Sequence, residues 1–163
     1  MDKDVIRIGN DHGGYELKLA LIGHMAEQGC QVCDVGSGSK DIVRYPYYAA
    51  KVAGAIACGE IKRGILICST GIGMSIIANK FKGVRAALCT STYMAKMTRM
   101  HNDSNILCLG GKITGEFEAI DILDMWLSTA YIGGRHDISL GLIAEAEQAI
   151  GNPGGWTPEG PET

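Results

Sequence analysis

Short, nearly continuous apolar runs alternate along this chain with stretches in which apolar residues return every three or four positions. The runs Val5 to Gly9, Gln31 to Gly36, Ile65-Leu66-Ile67, Val84 to Cys89 and Asn105 to Gly110 read as strands, and the unbroken ones have the pattern of strands covered on both faces. The intervening spacing predicts helices. The first has Leu17, Leu21 and Met25 at one-turn intervals, Glu16, Lys18 and Glu27 on other faces, and Gly29 as its C-terminal cap. A second starts near Pro46, a residue suited to a first helical turn, and buries Val52, Ala53, Ile56 and Ala57. A third covers Ile76 to Lys80. A fourth is capped by Thr90 or Ser91, uses Met94 and Met97 as core filling, and runs out at His101-Asn102-Asp103. A fifth is capped by Thr114, faces the core with Phe117, Ile120, Leu123 and Leu127, and carries Glu116 and Glu118 in its dipole-favourable first turn. The glycine-hinged segment Tyr131 to His136 leads to a last helix with the stripe Leu142, Ile143, Ala146 and Ile150.

Strands and helices in alternation predict an α/β fold, a three-layer α/β/α, doubly wound (Rossmann-like) sheet of five parallel strands. One domain is expected over residues 1–150. Residues 151–163 lack periodicity, hold three of the chain's four prolines and are expected to form an irregular Gly/Pro-rich tail.

Composition narrows the function classes. A net charge of −3 over 163 residues gives no electrostatic footprint for nucleic acid or an anionic membrane, so any anion site has to be local. No apolar run approaches membrane-spanning length and no signal-peptide hydrophobic region precedes Val5, which makes the cytoplasm the expected compartment. The six cysteines, Cys30, Cys33, Cys58, Cys68, Cys89 and Cys108, stand mostly in apolar contexts without paired metal-ligand spacing and are expected as reduced thiols, with no metal. Cys30 and Cys33 form a Cys-x-x-Cys where a helix ends and a strand begins, whereas the redox motif needs its first cysteine at a helix N-terminus.

The chemistry gathers around Gly64 to Lys80, which reads as buried strand, tight turn and helix. Cys68 stands at the strand's carboxyl end, where doubly wound sheets bind ligands, and Gly71 and Gly73 allow backbone N–H groups to approach an anion at the following helix. Three further loops carry polar residues: Asp11-His12, His101-Asn102 and Arg135-His136.

Taken in order, Asp11-His-Gly-Gly, Tyr45-Pro, Gly64-Ile-Leu-Ile-Cys-Ser-Thr-Gly-Ile-Gly, Ala78-Asn-Lys, His101-Asn-Asp and Gly133-Gly-Arg-His resemble the type B ribose-5-phosphate isomerases, relatives of the allose- and galactose-6-phosphate isomerases. The resemblance runs from about Val5 to Ile150. It implies an enzyme that interconverts an aldose phosphate and its ketose through an enediolate, without metal or organic cofactor. Cys68 would move the proton between C1 and C2. A thiol at a helix N-terminus ionises more readily than a free one, which makes thiolate catalysis physically sound. Thr70 would bond the reacting oxygens, and Ser69, Gly71 and Gly73 would supply N–H donors for the developing oxyanion. Ser69 itself is a poor base because nothing adjacent would ionise it. Asp11 and His101 match the ring-opening positions, while His12, Arg135 and His136 would hold the phosphate and Tyr45 and Asn102 would line the pocket. In this family the pocket is shared between two subunits and the last helix crosses to the partner, so a homodimer or a dimer of dimers is implied. Gly133 to Ile150 fits such an arm, and equally a helix folded back on its own sheet.

Some relatives place a glutamate six residues beyond the cysteine. Here that residue is Met74, which puts the chain with the cysteine-dependent branch. Three departures bear on the substrate: Arg44 stands where relatives often carry an acid, Ser139 where many carry a second phosphate-binding arginine, and Lys112 where an arginine is usual. The leading expectation is ribose 5-phosphate isomerisation. The alternatives are the same chemistry on a hexose 6-phosphate or tetrose phosphate, and a non-catalytic sugar-phosphate-binding protein.

Overall fold

The structure is a computed structural model that describes residues 5–150. The expected tail at 151–163 lies outside the described residues. In chain order the elements are β1 (Ile6–Asn10), a single 3-10 turn (His12–Gly14), α1 (Tyr15–Glu27), β2 (Val32–Asp34), α2 (Tyr45–Ala57), β3 (Gly64–Cys68), α3 (Ile72–Ala78), β4 (Ala86–Leu88), α4 (Thr92–Asn102), β5 (Ile106–Gly110), α5 (Glu116–Ser128) and α6 (Arg135–Ala149). All strand pairs are parallel and the sheet order is β2-β1-β3-β5-β4.

Side chains alternate across a strand, so each apolar run feeds two cores. Ile6, Ile8, Ile65, Ile67, Leu107 and Leu109 point to one face, where they meet Leu17, Leu21 and Met25 of α1, Ala95 of α4, and Ala119, Ile122, Leu123 and Trp126 of α5. Leu66, Cys68, Ile106 and Cys108 point to the other, against Ala49, Val52 and Ala53 of α2 and Met74 and Ala78 of α3. Cys68 therefore belongs to the α2/α3 face. Chain order reverses between the adjacent strands β1 and β3, and at such a switch point the loops leaving the carboxyl ends diverge and open a crevice.

Several boundaries and faces differ from the sequence expectation. β2 and β4, the edge strands, are three residues each, and none of those residues is buried. α3 starts at Ile72, not Ile76. In α2, Ala49 and Ala55 are buried and Ala57 is exposed. Met94 of α4 is exposed rather than core filling, and the cap of that helix is Ser91, whose side chain accepts from Met94 N. α5 has no side-chain cap from Thr114, and Phe117 is 84% exposed; the buried stripe is Ala119, Ile122, Leu123 and Trp126. α6 buries no residue at all. His24 is only partly exposed and ties α1 to α5 through Asp124 Oδ1 at 2.8 Å. Of the free cysteines, Cys33 and Cys58 are exposed rather than in apolar surroundings.

Candidate active site

The loop after β1 is stitched to β3 by main-chain bonds. Asp11 N donates to Ile67 O at 3.1 Å, and Asp11 Oδ1 accepts from Gly13 N at 2.8 Å, capping the 3-10 turn. A Cβ on Gly13 would fall 2.2 Å from Ser69 Oγ, and one on Gly14 would fall 2.7 Å from Ile67 O. Only glycines let the two loops pack backbone to backbone, and that contact seats Asp11 and His12 beside Cys68, Ser69 and Thr70. Val43 N donates to His12 Nδ1 at 3.4 Å, a bond that in the neutral ring favours the tautomer with its proton on Nε2.

Cys68 is 6% exposed, and its Sγ accepts the Gly71 N–H at 3.1 Å. That bond fixes the side-chain rotamer and points a backbone dipole at the sulfur. Thr70 Oγ1 accepts from Ile72 N at 3.4 Å. The glycines of this turn answer to packing as well as to any ligand. Gly71 has φ of +77° and its Cβ would meet Leu88 Cδ1 at 2.6 Å, while a Cβ on Gly73 would meet the Tyr45 ring at 2.8 Å. Tyr45, the first residue of α2, is thereby laid against the start of α3. Arg44, its N-cap, is exposed next to Val43, the residue bonded to His12.

The remaining expected site residues lie elsewhere. His101 and Asn102 end α4 and lead into β5, whose first residue Ile106 pairs with Gly64 and whose last, Gly110, pairs with Cys68. They stand at the amino edge of the sheet, not the carboxyl edge. At about 3.3 Å per residue, the strand between puts roughly 15 Å between the two edges. Arg135 and His136 open α6 beside them: the His136 ring stacks on His101 with centroids 4.2 Å apart and planes 11° from parallel, and Ile132 N donates to Met100 O at 3.2 Å. Desolvation, then His101, then Arg135 hold the His136 imidazole below its ordinary range, and its Nε2 is buried with no partner among the described residues. One chain thus gathers Asp11, His12, Tyr45, Cys68, Ser69, Thr70, Gly71 and Gly73 at one edge and His101, Asn102, Arg135 and His136 at the other. Among the described residues no three His, Cys, Asp or Glu side chains converge as metal ligands.

The Ribose/Galactose Isomerase family matches this chain over residues 6–143. The chain belongs to that family. It is 46% identical over 143 residues to ribose-5-phosphate isomerase B of Escherichia coli, covering 88% of this chain and 96% of that protein. Among solved structures, ribose-5-phosphate isomerase B of Clostridium thermocellum superposes with a TM-score of 0.87 at 49% identity, covering 88% of this chain and 97% of the other. The Mycoplasma genitalium enzyme with bound ribulose 5-phosphate superposes with a TM-score of 0.85 at 35% identity, covering 88% and 96%.

Within this isomerase fold, sequence reasoning passes over three residues that shape the site. Asn10 and Ser37 are buried polar residues behind the Asp11 loop, and Lys18, expected on a solvent face of α1, is 1% exposed. A signal for Lys18 was present: it follows Leu17 and precedes Leu21 by three, which puts it inside the apolar stripe. A cavity of about 560 Å³ lies away from Cys68, between the β4 edge and α6, lined by Asn102, Arg85, Ala87, Leu142, Ile143 and Ala146.

Proposed function

We propose that this chain is a cofactor-independent aldose–ketose isomerase that interconverts ribose 5-phosphate and ribulose 5-phosphate, with Cys68 as the base. The carrying observation is the buried Cys68 thiol at the switch-point edge of the sheet, with the Gly71 N–H on its sulfur, in a chain 46% identical to a ribose-5-phosphate isomerase B. The Cys68 thiolate takes the C2 proton of the open-chain aldose, the electron pair moves into a C1–C2 double bond, and O1 becomes the oxyanion. The proton returns to C1, while the O2 proton passes to O1 and leaves a ketone at C2. Thr70 Oγ1 borders both oxygens. Gly71 N is committed to the sulfur and Ile72 N to Thr70, so the oxyanion falls to the N–H groups of Ser69, Thr70 and Gly73.

Furanose ring opening needs one group to take the anomeric hydroxyl proton and one to protonate the ring oxygen. Asp11 fits the first role and His101 the second. Phosphate is held by His12 Nε2–H, by the Arg135 fork and by His136, with Tyr45 and Asn102 along the sugar. The two edges of one sheet are too far apart to act on one pentose, which supports a homodimer in which a second copy presents its His101, Asn102, Arg135 and His136 to this chain's Cys68. α6 supports the same reading, since its apolar stripe Leu142, Ile143, Ala146 and Ile150 is only partly covered by its own chain, with Ile143 and Ile150 exposed. No helix among the described residues is long and apolar enough to cross a membrane, and a cytoplasmic enzyme suits this chemistry.

Cys68→Ala tests the assignment. Turnover of ribose 5-phosphate should fall by at least ~10² to 10⁴-fold, the range supplied by a positioned base, while substrate binding by calorimetry persists. Near-normal turnover would place the base elsewhere.

A second substrate has one specific observation in its favour. Arg44 sits exposed next to the segment that bonds His12, and by the resemblance Ser139 stands where many relatives carry a second arginine. If Arg44 supplies the missing charge, the preferred sugar length shifts. Michaelis constants on tetrose, pentose and hexose phosphates for Arg44→Ala and Ser139→Arg separate the readings: constants within about twofold on every substrate would remove Arg44 from the site, whereas a charge-assisted contact is worth about tenfold or more.

A further inference from the structure

A lysine on a surface helix ordinarily extends into water. Lys18 does not: it is 1% exposed, and its ammonium donates to Ser37 O at 2.7 Å and pairs with Asp34 Oδ2 at 2.8 Å. Burying an ammonium is costly unless its donors are taken up, so the two partners define where it sits and are in turn held by it. Both belong to the β2 end and the loop after it. Asp34 Oδ1 also accepts Gly36 N at 2.9 Å, which curls that loop back over the sheet edge. Ser37 then donates its own N–H to Asn10 O at 3.0 Å, and Asn10 Nδ2 donates to Asp11 O at 2.7 Å. Gly36 completes the contact because a Cβ there would lie 1.8 Å from Asn10 Oδ1. Asn10 Oδ1 is buried with no hydrogen-bond partner among the described residues, so the hydrogen bond that fixes the side-chain amide is the one from Nδ2 to Asp11 O.

These bonds form one connected path: Lys18, Ser37, Asn10, Asp11. We propose that Lys18 is a positioning residue of the active site, which holds Asp11 at its ring-opening place through Ser37 and Asn10 and touches no substrate itself. The inference rests on the reading of Asp11 given above. The alternative is a lysine that merely ties α1 to β2. The two differ in one respect: a tether costs activity whatever stands at position 11, whereas a positioning residue has nothing left to position once the Asp11 carboxylate is gone.

The test is a double-mutant cycle on ribose 5-phosphate turnover with Lys18→Met, which keeps the stem and removes the charge, and Asp11→Ala. Misplacing a catalytic group by an ångström costs up to ~10²-fold, so Lys18→Met alone should lower kcat by about tenfold or more with KM within about threefold. In the Asp11→Ala background it should cost less than about twofold further, because groups acting as a unit are not additive. A kcat for Lys18→Met within about twofold of wild type overturns the proposal. So do penalties that multiply in the double variant, which would make Lys18 a tether. If Lys18→Met does not fold, Asp34→Asn takes its place in the cycle, since it keeps an oxygen for Gly36 N and weakens only the ion pair. A wild-type chain that isomerises no aldose phosphate overturns the reading of the site itself, an outcome distinct from either failure of the cycle.

Discussion

Cys68, Cys89 and Cys108 are all buried on or beside the sheet, yet their surroundings separate them. Burial pushes the Cys89 thiol up to about 12, and it drives Cys108 well above the ordinary thiol range, with Cys68 and Cys89 adding to the shift. Neither carries a reactive thiolate near neutral pH. Cys68 alone of the three accepts a backbone N–H on its sulfur at the ligand edge. Iodoacetamide at about pH 8 should therefore label the exposed Cys33 and Cys58 together with Cys68 and spare Cys89 and Cys108. Activity should be lost in step with Cys68 modification, and substrate should protect it. Peptide mapping that shows inactivation with Cys68 unlabelled would contradict this. His136 gives a prediction in pH. Its folded-state imidazole is held below the ordinary histidine value of 6.5, with desolvation as the main cause, so the unfolded chain takes up the proton first as pH falls. Stability is then complete above that value and declines below it. The melting temperature should drop between about pH 7 and pH 5.5 by more in wild type than in His136→Phe, which keeps a ring stacked on His101 and cannot titrate. Identical pH profiles would remove His136 from the effect.

At the scale of elements, continuous apolar runs proved the dependable signal. β1, β3 and β5 are legible because strands covered on both faces favour apolar residues, and the β3 run ends at Cys68, which marks its edge. Edge strands β2 and β4 are less legible because half-exposed positions blur into their loops. α5 shows a subtler failure. Phe117, Ile120, Leu123 and Leu127 keep helical spacing, but the buried stripe is rotated onto Ala119, Ile122, Leu123 and Trp126, where a small alanine carries no hydrophobic weight in a pattern and the indole is placed by its bond to Ser104 Oγ at 2.8 Å. Phe117→Ser should accordingly change unfolding free energy by less than about 0.5 kcal/mol, as for an exposed site. Ile122→Ala should cost about 2–5 kcal/mol, the range for a buried deletion. Chemical denaturation of both variants checks the rotation, and a larger loss at Phe117 would contradict it. Lys18 failed for a related reason: charge marks a residue as exposed unless its ion-pair partner, here Asp34 on another element, is known.

Across the whole molecule, the sequence motifs name candidate residues but not which edge they occupy, because position along a chain does not say where a helix returns. α4 carries His101 and Asn102 back to the amino edge before β5 begins, and α6 brings Arg135 and His136 to the same place. A single chain therefore carries its two groups of candidate residues at opposite edges of the sheet, roughly one strand length apart. An α6 with no buried side chain, and a ring stack with a nitrogen unpartnered among the described residues, suit the proposal that a second copy covers this edge. The central proposal, that Cys68 of one copy and His101 of another serve the same site, is tested most directly by mixing two impaired variants. Cys68→Ala and His101→Ala are purified separately, combined under conditions that allow subunit exchange, and assayed on ribose 5-phosphate. In a heterodimer with shared sites, one site carries both substitutions and the other carries neither. Random pairing makes half of the dimers mixed, so activity should rise to about a quarter of wild type. If both residues act within one chain, every site stays impaired, and a mixture no more active than the average of its two components would contradict the claim.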